Sequence, residues 1–174
     1  MIVWFPELNR KSVTGSLLII NIVVFFLFNF LPQDISYYFF ISQPWTLSPW
    51  TILSNFSHAG LFHLLANMYL LYMLWPMIEM SIGKNEYIKL IIFMTLFTSA
   101  WWYFLYWWPT LGFSWLALWL ISFAYFSDKV FIPKQQLGIL LFLNILIWLS
   151  PWISFFGHAL WALAWYAYLQ VKEQ

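Results

Sequence analysis

Apolar residues run along this chain in blocks too long for strands, separated by short polar or proline-containing breaks. Residues 16–31 (SLLIINIVVFFLFNFL) form the first block, a little short of the ~20 residues that cross a bilayer as a helix. A cleaved signal peptide is the competing reading, and the lack of a small-x-small site after the block argues against it. Residues 32–50 are an aromatic-rich connection with Pro44, Pro49 and a single charge, Asp34, a composition suited to the membrane interface. Residues 57–79 (SHAGLFHLLANMYLLYMLWPMIE) predict a second helix, closed by the turn around Gly83 and Lys84. Residues 87–107 predict a third. Pro109 to Gly112 breaks the chain, and residues 113–126 restart it as a fourth. After a charged turn at 127–134, residues 136–149 and 155–169 predict the fifth and sixth, with Pro151 between them. The pattern therefore predicts an all-α membrane protein of six transmembrane helices. A single membrane domain, 16–171, would lie between a polar lead, 1–15, and a short tail, 172–174.

The second block is the one with polar residues where they are least welcome. It carries His58, His63, Asn67 and Glu79 inside the predicted helix. Four residues separate His63 from Asn67, so both leave one helix face a turn apart. Glu79 follows His63 by sixteen residues, roughly 24 Å at ~1.5 Å per residue. Ionisable groups in such a segment are costly and tend to mark function. The alternative is that His63 and Asn67 are polar glue between helices.

Composition agrees with the pattern. The 174 residues are 64% hydrophobic and 7% charged, with mean hydropathy +0.79, which excludes an ordinary soluble domain. There is no cysteine, so disulfide and thiolate chemistry are excluded. A net charge of +1 without a basic patch argues against a nucleic-acid partner. The charges instead report sidedness. Arg10, Lys11, Lys84, Lys89, Lys129, Lys134 and Lys172 all fall on one side of a six-span arrangement, and the other side's connections hold none. Both termini are then expected to be cytoplasmic. His58, His63, Asn67, Ser114 and His158 fall toward the external half.

Two further residues join the polar pair at that depth. Ser114 follows the break in Gly112-Phe113-Ser114, where a helix start offers backbone N–H groups. His158 follows Gly157 at the start of the sixth block. A serine becomes a nucleophile when a histidine within reach takes its proton. No acid lies at that depth, so catalysis here would be a Ser–His dyad. Taken alone, Ser114 also fits a helix N-cap, and His158 a satisfied interior histidine. A metal site from His58, His63 and His158 is disfavoured, because His58 and His63 are five apart rather than the four that puts two ligands on one face.

His63-Leu64-Leu65-Ala66-Asn67 with His58 before it, Glu79, Gly112-Phe113-Ser114 and Gly157-His158 together resemble the rhomboid family of intramembrane serine proteases. The resemblance spans about residues 45–170. It implies Ser114 as nucleophile and His158 as general base, with the His63 and Asn67 side chains and the Ser114 N–H forming an oxyanion hole. His58 and Glu79 would be structural. Substrates would be transmembrane proteins cut near the external face of the plasma or inner membrane. The only other partner implied is membrane lipid, and no cofactor or metal is implied.

The chain departs from that family in one consistent way. Family glycines read here as Trp75, Trp115, Trp119, Trp161 and Trp165, in a chain with 6 Gly and 14 Trp. Those glycines allow close helix approach, and an indole in their place overpacks severely. Drift would have scattered several residue types over the five positions. The reading is that UGA codons, which some bacterial lineages assign to glycine, stand as Trp. With genuine Trp, the expectation changes to an inactive rhomboid-like protein that binds membrane clients. A smaller departure is Thr51, where the family often has Arg.

Overall fold

The computed structural model describes residues 12–43, 45, 46, 48, 50–105 and 111–148, without the side chains of 101–105 and 144–148. The predicted sixth helix lies outside the described residues, and with it His158, Trp161 and Trp165.

Seven helices occupy the described residues: α1 (Val13–Phe30), α2 (Gln33–Phe40), α3 (Thr51–Ser54), α4 (Leu61–Ile82), α5 (Lys84–Leu105), α6 (Ser114–Phe126) and α7 (Lys134–Trp148). Of these, α1 and α4 are long and apolar enough to cross a membrane by length and composition. The first five predicted blocks thus each hold a helix. The connection after the first is less irregular than expected, since it contains α2, whose Phe39 packs edge-on against Trp50.

The second block differs at its start. Ser57 to Gly60 precede α4 rather than beginning it, because Gly60 caps the helix in an extended conformation. His58 therefore sits in the segment between α3 and α4, not on the helix face.

Central in the fold is α6, which packs against α4, α5 and α7. Its thirteen residues are apolar on every side, and Trp115 through Ser122 are all buried, as expected of a helix enclosed by others. The outer faces of α1, α4 and α5 instead expose Val23, Phe26, Leu65, Ile92 and Phe93, the kind of surface that lipid covers.

Two polar clamps fix the ends of these helices. The Glu79 carboxylate on α4 accepts from the Val13 and Thr14 N–H groups at 2.9 Å and from Thr14 Oγ1 at 2.7 Å. Gly15 N–H donates to Ser12 Oγ, and Ser16 N–H to the Ser12 carbonyl, so every open amide of the first α1 turn has an acceptor. At the far end of α6, Lys134 Nζ donates to the carbonyls of Ala124, Tyr125 and Ser127 at 3.2, 2.6 and 2.6 Å. That places a cation on the negative end of the helix dipole and closes the short turn into α7.

Candidate active site

The sequence places Ser114 just after a glycine turn, and the backbone explains why glycine is required. Gly112 has φ of +139°, a region that side chains rarely adopt. It is also bordered by the groups of interest. A Cβ there would lie 3.5 Å from Ser114 Oγ, 3.4 Å from His63 Cε1 and 3.8 Å from His63 Nε2. These are ordinary van der Waals distances, so the positive φ rather than crowding is what calls for glycine, and the serine hydroxyl and the imidazole both border this one position. Ser114 is the first residue of α6 rather than its N-cap, which is Phe113, so its N–H has no carbonyl of its own helix to bond.

Asn67 lies one turn beyond His63, is buried, and its Nδ2 has no hydrogen-bond partner among the described residues. An unmet amide donor in an apolar interior is unfavourable by about 1–3 kcal/mol. It marks either a binding element waiting for an acceptor or a cost borne for no return. Glu79 stands at the other end of α4, occupied with α1 and remote from this group.

His58 packs edge-on against His63 with ring centroids 5.0 Å apart, and 6.4 Å from the Phe113 ring. Its Nδ1 lies 3.1 Å from the Phe56 carbonyl, an acceptor, so Nδ1 carries the proton. Nε2 is left buried with no partner among the described residues. Burial, and secondarily the neighbouring His63, hold the His58 imidazole well below the ordinary histidine value of 6.5, against a smaller upward pull from the Phe56 carbonyl. His58 is therefore neutral and buttresses the His63 ring.

The turn bearing Gly112 is held from a strap that the sequence did not single out. Gly112 N–H donates to the Ser54 carbonyl at 2.9 Å. Next to Ser54, the buried Asn55 amide donates to Ser99 Oγ on α5 at 3.0 Å. The available signal was a run of polar residues, Thr51, Ser54, Asn55 and Ser57, in an apolar context, matched by Thr95, Thr98 and Ser99.

Indoles dominate the rest of the surroundings. Trp75 is fully buried against Phe113, with ring centroids 4.8 Å apart, and its Nε1 has no hydrogen-bond partner among the described residues. Trp115 and Trp119 are also buried, Trp119 with its ring 5.8 Å from that of Phe97 on α5. A buried indole usually finds an acceptor for its N–H, and Trp75 does not. Among the described residues no cluster of three or more His, Cys, Asp or Glu is placed to hold a metal ion.

No curated protein and no solved structure matches the chain. The family model described as the Rhomboid domain matches residues 42–172, a stretch that runs from the end of α2 past α7 and contains every site residue described above. The chain belongs to the rhomboid family of membrane-embedded proteins.

Proposed function

We propose that this protein is an intramembrane serine endopeptidase that cleaves transmembrane segments of membrane-protein substrates. The observation that carries the reading is that Ser114 Oγ and the His63 ring both border the Gly112 position, at the start of a buried helix, in a chain of this family. Six transmembrane helices with both termini cytoplasmic would make residues 16–171 one membrane domain. The site would then face the extracytoplasmic side of the plasma or inner membrane.

In this mechanism Ser114 Oγ attacks the scissile carbonyl carbon while His158 takes its proton. The carbonyl oxygen gains charge and is held by Asn67 Nδ2, the His63 ring and the Ser114 N–H. The unmet Asn67 donor supports this role, because an oxyanion would give it the acceptor it lacks. His158 then returns the proton to the leaving amine, and water resolves the acyl-enzyme by the same path. His58 and Glu79 serve as supports for the ring and for α1.

A second reading, a rhomboid-like protein that binds membrane clients without cutting them, is favoured by the indoles of Trp75, Trp115 and Trp119 packed around α6. The two readings part on what the gene specifies. Glycine at 75, 115, 119, 161 and 165 supports the protease, and UGG codons there support the binder. The intact mass of the protein made in its own host separates them. The functional test is labelling by a serine-directed fluorophosphonate. Labelling and cleavage that vanish in Ser114→Ala and in His158→Ala support proteolysis, and cleavage that survives Ser114→Ala overturns it.

A further inference from the structure

We infer that Asn55 is a positioning residue for the reaction, acting through Ser99 to hold the strap of residues 51–58 that aims the Ser114 turn. The inference rests on the proteolytic reading of Ser114.

The strap is short and polar in an apolar setting. Thr51, Ser54, Asn55, Ser57 and His58 are all buried. Most of its hydrogen bonds are local: Ser54 Oγ donates to the Thr51 carbonyl at 2.7 Å and Ser57 Oγ to the Leu53 carbonyl at 3.1 Å. Such bonds shape the strap but fix it to nothing. Asn55 does both. Its Nδ2 sits 3.3 and 3.2 Å from the carbonyls of Thr51 and Ile52, which sets the amide's orientation, and 3.0 Å from Ser99 Oγ on α5. The Ser99 hydroxyl donates to the Thr95 carbonyl at 2.9 Å, so its lone pair is free to accept from Asn55. The two Asn55 N–H groups are shared among three acceptors, and Asn55 Oδ1 is left without a partner among the described residues.

What the strap carries makes the tie functional. Among the described residues, Gly112 N–H to the Ser54 carbonyl is the one backbone hydrogen bond that reaches the 111–113 turn from outside α6. That turn sets the start of the helix bearing Ser114. The strap's other end carries His58, which supports the His63 ring. One anchor on α5 therefore governs both the nucleophile's turn and a donor proposed for the oxyanion. Small displacements of either cost rate, because reacting atoms must be held in near-attack geometry.

The test uses the full-length protein, produced with the codon assignment that the mass measurement establishes. Rates of Ser114 labelling and of cleavage of a transmembrane substrate are taken per folded molecule in Asn55→Ala, Ser99→Ala, their double variant and Ser99→Thr. Each single alanine variant is expected to lose about tenfold in kcat and in labelling rate, with KM within about twofold of the parent. The double variant should be no slower than the slower single, since both remove one bond. Ser99→Thr keeps the hydroxyl and should recover most of the rate. If Asn55→Ala fails to fold, Ser99→Ala decides, because it leaves the strap's own bonds intact. Lowered thermal stability with parental rates in Ser99→Ala, or losses that add in the double variant, would overturn the role. A parent that neither labels nor cleaves overturns the proteolytic reading and this role with it. A parent that labels alongside equally fast alanine variants overturns this role alone.

Discussion

The two ends of α4 solve opposite problems. At the Glu79 end, a carboxylate meets three donors of α1, and every open amide of that helix start finds an acceptor. At the other end, Asn67 Nδ2 and His58 Nε2 have no partner among the described residues, and Gly112 is held at φ of +139° beside the His63 ring. One helix thus combines a satisfied polar cluster with an unsatisfied one. Satisfied clusters stabilise the folded state, whereas unmet donors and forced backbone are tolerated where something else is to be bound. On the proposed reading, one end of α4 serves stability and the other chemistry.

The sharpest way to break that contrast is to exchange the signatures. Glu79→Ala should lower stability by about 3 kcal/mol, since it strands two amides and a hydroxyl, yet leave the rate per folded molecule at the parental level. Denaturation in micelles with activity normalised to the folded fraction would check both halves. Asn67→Ala should do the reverse. Cleavage should fall by roughly 10²-fold or less, because backbone donors still hold the oxyanion, while stability stays level or rises as an unmet donor is removed. A stability loss at Asn67 matching that at Glu79 would mean the amide is structural glue after all.

Acid gives a smaller and more selective effect. The folded His58 value is depressed, so the unfolded chain takes up a proton first as pH falls below about 6.5. Stability conferred by keeping this ring neutral is complete above that pH and declines below it, by at most about 1.4 kcal/mol per pH unit. Comparing parent with His58→Phe between about pH 7.5 and 5 should show a flatter profile in the variant. The mildest change is expected at the distal end of α6. Lys134→Met should cost under about 1 kcal/mol, because the freed carbonyls are near water, and should leave labelling of Ser114 unchanged.

These tests probe features that differ in how far the sequence announces them. Helix order followed from block length, and the pairing of His63 with Asn67 followed from a spacing of four. The Ser114 turn was legible because Pro109 and Gly112 punctuate it. His58 lies off the helix because the extended Gly60 caps it, so α4 starts at Leu61, four residues later than the apolar block suggests. The strap went unread because its decisive bond joins Asn55 to Ser99, 44 residues apart, and no local period encodes such a pairing. Glu79 was seen as a remote acid, but its partners on α1, 65 and 66 residues earlier, were equally invisible to periodicity.

That last separation has a consequence for how the protein is made. When α1 is complete at Phe30, the acceptor for its leading amides, Glu79, lies 49 residues further along the chain and has not yet been translated. Until Glu79 is made, the leading amides of the first helix lack the carboxylate that holds them. Nascent chains halted short of residue 79 should hold that helix loosely, and those halted well beyond should lock it in place.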